Sequence, residues 1–210
     1  MKNDYKFNEK WFSDVQGGWD QVFNWYCNKE KREVKNVLEV GCYEGMASIY
    51  LAEHYLKDGA NYTVVDTFEG SKDESGMSDT NQHFAIQDDF IYDNFIHNTG
   101  FFPNINYTVK RGLSQHILPT LEQENNKYDF IYIDGSHKSS DTFIDAYYSH
   151  KMLKPEGIII FDDFLWSDPL QKDDIDHAPK LGIDVFQLIW GHEYKQLLSG
   201  YQLGFIKLAP

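Results

Sequence analysis

Short runs of β-branched and aromatic residues alternate with helix-length amphipathic segments along most of this chain, and that alternation restricts the fold more than any other feature. The runs are KNVLEVG (35–41), NYTVVD (61–66), NINYTVKRG (104–112), YDFIYIDG (128–135) and GIIIFDDF (157–164). MASIYLAEHYLKDG (46–59) is expected to be a helix stopped by Gly59. KSSDTFIDAYYSHKML (138–153) is expected to be another, closed by Lys154-Pro155-Glu156-Gly157. Continuous apolar strands separated by helices imply an α/β domain whose parallel sheet is covered on both faces. The tail EYKQLLSGYQLGFIKL (193–208) shows two strand-like runs around Ser199-Gly200, a two-residue hairpin signal that adds one antiparallel strand.

A chain of 210 residues with 41% hydrophobic content fits one domain with a substantial core. Residues 1–34 read as a helical cover, with GGWDQVFNWYCNKEKR (17–32) an aromatic-rich helix over the sheet edge or a pocket mouth. Residues 35–210 form the main domain. Residues 67–103 are too long for a simple connection and read as an inserted lid, polar first and helical in FIYDNFIHNTGFF. The net charge of -14 argues against a nucleic-acid partner, since a phosphate backbone demands a basic face. No apolar run approaches the roughly 20 residues that span a bilayer. Cys27 and Cys42 form no metal or disulfide pattern and read as reduced thiols of a cytoplasmic protein.

In an open α/β sheet, ligands bind beyond the carboxyl ends of the strands, and polar residues gather there. The first strand ends in LEVGCYEG, where Gly41 and Gly45 let backbone approach a ligand. The pattern is not GxGxxG, and Glu44 disfavours a pyrophosphate, so a ligand without phosphates fits better than a dinucleotide. Asp66, 25 residues beyond Gly41, can accept hydrogen bonds from both hydroxyls of a ribose. Asp134 ends the fourth strand, and Asp162 and Asp163 follow 28 and 29 residues later at the end of the fifth. Neighbouring strand tips about 4.8 Å apart can bring these three together. Asp162 and Asp163 both face the site only if the chain turns there. Three close carboxylates repel, and a divalent cation (Mg²⁺, Mn²⁺ or Ca²⁺) relieves the conflict. His137 can take a hydroxyl proton or serve as a further ligand.

VLEVGCYEGMAS, YTVVDTFEG and YDFIYIDGSH…LKPEGIIIFDDF resemble the successive motifs of class I S-adenosylmethionine-dependent methyltransferases, in the methyltransferase-24 branch that includes macrocin-type sugar O-methyltransferases. The likeness covers about residues 35 to 165. It implies a Rossmann-like seven-stranded sheet of order 3-2-1-4-5-7-6 with strand 7 antiparallel. By resemblance Glu39, Gly41, Cys42, Tyr43 and Gly45 line the methionine end of S-adenosylmethionine. Asp66 takes the ribose, Thr67 and Phe68 flank ribose and adenine, Ser114 contacts adenine, and Asp134 borders the cofactor. Asp134, Asp162 and Asp163 would hold a divalent metal, magnesium first. Catechol-type relatives carry a lysine where this chain has His137, so the base stays open.

The expected activity is metal-dependent O-methylation of a small hydroxylated acceptor, a sugar or a catechol-like ring. Metal-free transfer to oxygen or nitrogen with His137 as base, and a non-catalytic cofactor-binding protein, are the alternatives. The aromatic N-terminus can supply a homodimer contact. Trp11, Trp19 and Trp25 read as core residues, with stacking on a ligand the alternative. His83 and His97 fall in the expected lid.

Overall fold

The computed structural model describes residues 4–70, 89–167 and 174–209. Helix α1 (Gln16–Phe23) runs on into a π-helical turn over Asn24–Lys29, then β1 (Asn36–Val40), α2 (Met46–His54), β2 (Asn61–Asp66), α3 (Phe90–Thr99) and β3 (Asn106–Arg111). There follow α4 (Ser114–Gln123), β4 (Tyr128–Ile133), α5 (Ser139–Met152), β5 (Leu153–Phe161), α6 (Lys180–Trp190), β6 (Tyr194–Leu198) and β7 (Leu203–Lys207). The strands form one seven-stranded sheet in the order β3-β2-β1-β4-β5-β7-β6. β7 pairs antiparallel with β5 and β6, and the remaining pairs are parallel.

Both faces of the central strands are apolar because each faces its own helical layer. Phe130, Tyr132, Ile158 and Ile160 join a core with Trp19 and Phe23 of α1, Leu51 of α2 and Phe95 of α3. The intervening Ile131, Ile133, Ile159 and Phe161 join a second core with Leu118 of α4, Ala146 of α5 and Phe186 of α6. Successive side chains therefore serve opposite layers, which is why no polar alternation marks the sequence. Trp19 is fully buried, with its ring edge-on to Tyr132 at 4.8 Å and to Phe130 at 5.2 Å. The N-terminal helix thus packs on the face of the sheet, not its edge.

Three boundaries differ from expectation. α2 ends at His54, where Tyr55 stacks on Phe23 at 5.0 Å, and Gly59 lies in the turn before β2 with φ +84°. α5 ends at Met152 as expected, but β5 begins at once at Leu153, so the Lys154–Gly157 segment lies inside the strand and not between helix and strand. Tyr128 pairs with Leu153 but Phe130 with Ile158, so these residues loop out while Lys154 reaches Asp129 at 2.8 Å. The β6–β7 connection covers residues 199–202 and is longer than a two-residue turn, which lets Gln202 turn inward. Of the expected lid, residues 71–88, with His83, lie outside the described residues. α3 is helical as expected and packs inward through Ile91 and Phe95.

Candidate active site

The strand tips meet. Gly41 N–H donates to Val65 O at 2.9 Å, Asp134 N–H to Val40 O at 2.8 Å, and Asp162 N–H to Ile133 O at 2.9 Å. These bonds join the ends of β2, β1, β4 and β5 into one rim. Gly41 adopts φ +80°, and a Cβ built on it would sit 2.0 Å from the Asp134 carbonyl oxygen. Only glycine permits both the left-handed backbone and that approach. Gly45, with φ +82°, opens α2 against the Phe95 ring.

Asp66 is tied to the glycine turn. Its Oδ2 accepts the N–H groups of Cys42 at 2.6 Å and Tyr43 at 2.9 Å, and its Oδ1 accepts the Phe68 N–H at 2.6 Å. A carboxylate offers about four lone-pair sites, so three are spent on backbone. Phe68 is fully buried and its ring packs on Tyr92 and Phe95. Thr67 Oγ accepts the Glu69 N–H at 3.2 Å. Ser114 stands at the start of α4 near the buried carboxyl of Asp145, which burial pushes up to about 7.

An open cleft lies beside this rim, walled by Glu39, Cys42, Tyr43 and Asp134 and covered by residues of the N-terminal segment. Glu39 is almost wholly buried; its Oε2 accepts Ser48 Oγ and, at 2.7 Å, Tyr62 OH. Its Oε1 has no hydrogen-bond partner among the described residues. Burial pushes its carboxyl from 4.5 up to about 7. Burial also drives the Cys42 thiol well up, so it stays neutral.

The raised pKa of Glu39 carries a stability consequence. The folded chain holds this proton more tightly than the unfolded one, so the contribution is fully present below about pH 4.5. It is lost as the pH rises through about 7. Stability therefore falls by up to about 3 kcal/mol over that window from this group, and Asp145 adds a slope of the same sign. In Glu39→Gln, whose amide oxygen still accepts Ser48 and Tyr62, denaturant unfolding at pH 5 and pH 8 should show a visibly smaller difference. An unchanged difference would reject the assignment.

Asp134, Asp162 and Asp163 gather at the next two tips. Asp163 has φ +57°, its N–H closes on Asp162 Oδ1 at 2.7 Å, and its carbonyl accepts the Trp166 N–H at 2.9 Å. This left-handed turn lets successive residues serve one site. Tyr132 OH bridges Asp134 Oδ2, at 3.1 Å, and Asp162 Oδ2; Gln202 Nε2 also donates to Asp162 Oδ2, at 2.7 Å. Trp19 holds Gln202 through a 3.0 Å bond to Oε1. Burial first, then Asp162 and Asp163, push the Asp134 carboxyl well above its ordinary range; burial and Asp163 push Asp162 up. His137 Nε2 lies 2.9 Å from Asp163 Oδ2, and the imidazole packs on Trp166 at 4.3 Å.

The donor chemistry suits a hard divalent cation, since these are oxygen ligands on adjacent tips whose mutual repulsion an ion would remove. As they stand, the side chains are aimed at Tyr132, Gln202 and His137. Among the described residues no three His, Cys, Asp or Glu side chains are gathered into a cation cage.

A family described as a methyltransferase domain, methyltransferase-24, matches residues 38–164, from β1 through the aspartate pair. The chain belongs to the methyltransferase-24 family. This methyltransferase is 27% identical over 123 residues to an uncharacterized protein of Acanthamoeba polyphaga mimivirus. That match spans 54% of this chain and 56% of the viral protein. Among solved structures, an O-methyltransferase from Bacillus cereus in complex with SAH superposes with a TM-score of 0.57 and 20% identity, covering 98% of this chain and 84% of that one. MycE, the methyltransferase of the mycinamycin biosynthetic pathway in complex with Mg, SAH and mycinamycin VI, gives 0.56 and 14%, covering 97% of this chain and 51% of that one. At these identities the likeness is one of fold.

Several residues at the methyltransferase site carried no sequence signal. Gln202 falls in the second run of the expected hairpin and Tyr132 reads as one more strand residue, with nothing to mark either. Trp166 follows a stretch with no periodicity. Glu44, read from the sequence only as a charge unfavourable to a pyrophosphate, is buried beneath Asn8, Asn94 and Asn98, partners far apart in sequence.

Proposed function

We propose that this methyltransferase transfers the methyl group of S-adenosylmethionine to a hydroxyl oxygen of a small acceptor, with a divalent cation, magnesium first, held by Asp134, Asp162 and Asp163. The observation that carries the reading is that Asp134 and Asp162 share the Tyr132 hydroxyl at adjoining strand tips while the next residue, Asp163, pairs with His137, and that Asp134 walls the cleft. S-adenosylmethionine supplies an electrophilic methyl carbon, activated by the sulfonium charge. The cation, when bound, lowers the pKa of a coordinated hydroxyl.

The chain's own residues do the remainder. Glu39 and Asp134 wall the cleft with buried carboxyls, which a cationic ligand beside them would draw back toward the charged form. Asp66 retains one lone-pair site for a ribose hydroxyl while fixing the glycine turn. His137, oriented by Asp163 through Nε2, presents Nδ1 to take the acceptor's proton. Trp166 restricts the imidazole from the other side. The net charge of -14 supports a small acceptor over nucleic acid, and the free thiols of Cys27 and Cys42 support a cytoplasmic setting. No helix among the described residues is long and apolar enough to cross a membrane.

The Asp163–His137 pair also favours a second reading, ion-free transfer to oxygen or nitrogen with His137 as sole base. His137→Ala is expected to lower kcat by about 10²–10⁴-fold under either reading, as for loss of a positioned proton acceptor. The two readings part on metal. With a hydroxylated-acceptor library and labelled S-adenosylmethionine, excess chelator should stop turnover and Mg²⁺ should restore it. Full turnover in chelator removes the cation from the proposal.

A further inference from the structure

The sheet tips do not enclose the cleft alone. Residues 4–14 cross it as a strap, fixed at two points. At one, the buried Glu44 accepts the Asn8 N–H at 2.7 Å together with the Asn8 and Asn94 side-chain amides. Asn98 clamps Lys6 through both backbone groups, at 2.7 and 2.9 Å, and also donates to Glu44 O at 2.9 Å. At the other, Phe12 is buried with its ring 4.7 Å from Trp19. A strap held at both ends places what lies between them in a fixed position.

Glu9 and Trp11 lie between the anchors, and both line the cleft. Trp11 is 58% exposed, so the folded core does not explain it, yet its ring stands 5.2 Å from that of Tyr43. Glu9 supplies a carboxylate on the strap itself, whereas burial holds Glu39 and Asp134 toward their protonated forms, and no lysine, arginine or histidine is among the residues lining the cleft. Aromatic faces beside a carboxylate with no neighbouring cation attract a desolvated cation. A neutral ligand of the same shape gains nothing from that charge.

We propose that the strap completes the cofactor site, with Trp11 and Tyr43 as an aromatic wall and Glu9 as its carboxylate, and that this wall recognises the sulfonium charge so that the enzyme holds S-adenosylmethionine in preference to the neutral product S-adenosylhomocysteine. The inference rests on the cofactor reading above and deepens it. Product release then follows from loss of charge at sulfur.

Calorimetric titration of the full chain with S-adenosylmethionine, S-adenosylhomocysteine and sinefungin, which carries an amine in place of the sulfonium, tests the idea. Trp11→Leu and Glu9→Gln should each weaken S-adenosylmethionine and sinefungin by about five- to tenfold and change S-adenosylhomocysteine by less than about twofold. Equal weakening of all three ligands would make the strap a mere cover and overturn the inference, as would no change in any. Failure of the unsubstituted protein to bind either S-adenosylmethionine or S-adenosylhomocysteine would overturn the cofactor reading and the inference with it. Normal binding by that protein, with no charge-dependent loss in the variants, would sink the inference alone.

Discussion

Asp134→Asn is expected to lower methyl transfer by about 10³-fold while leaving the affinity for S-adenosylhomocysteine within about threefold. The factor follows from losing several kcal/mol of transition-state stabilisation when one oxygen ligand of the cation is replaced by an amide, at 1.36 kcal/mol per decade. Asparagine suits this test because its carbonyl oxygen still accepts Tyr132 OH, the bond the structure gives Asp134 Oδ2 at 3.1 Å. Asp162→Asn is less clean. Its Oδ2 receives both Tyr132 OH and Gln202 Nε2, and its Oδ1 receives the Asp163 N–H. Whichever way the amide is turned, one donor meets another, at a cost of about 1–3 kcal/mol to the fold. Comparing the two variants by thermal unfolding and by kcat separates chemistry from stability. Near-normal kcat in Asp134→Asn, with Mg²⁺ present, would remove Asp134 from the site.

The reach of the sequence was set by how local each determinant is. The covered parallel sheet was legible because continuous apolar runs such as GIIIF belong between two helical layers, the strand order followed from the family resemblance, and the aspartate spacing located two adjacent tips. The turn that unites Asp162 and Asp163 was stated as a condition, and the left-handed backbone at Asp163 meets it. What stayed hidden depends on distant partners. Nothing near Gln202 indicates that Trp19 will hold it under Asp162. Nothing near Glu44 indicates that asparagines from the N-terminal strap and α3 will satisfy it. The Lys154–Gly157 segment was read as a helix stop, and α5 does end just before it at Met152, but proline and glycine shape bulges as readily as they stop helices. Only the pairing with β4 reveals the bulge.

Gly41→Ala is expected to be the most damaging single-atom-scale change in the chain, lowering Tm by roughly 10 °C or more and removing measurable S-adenosylhomocysteine binding. Two costs combine. The left-handed backbone at φ +80° penalises any Cβ by about 1–2 kcal/mol. The new methyl would also lie 2.0 Å from the Asp134 carbonyl oxygen and 2.6 Å from Gly135 Cα, both backbone atoms that no rotamer change can withdraw. To relieve that clash the tips of β1 and β4 must part, which breaks the 2.8 Å bond from Asp134 N–H to Val40 O. Gly59 provides the control. It has φ +84° but nothing within 4 Å of a built Cβ, so Gly59→Ala isolates the backbone term. That variant should lose about 1–2 kcal/mol, equivalent to roughly 2–8 °C in a chain of this size, and bind ligand normally. Similar Tm losses in both variants would mean that the β1 and β4 tips are not in contact, and the site would lose the close approach on which it is built.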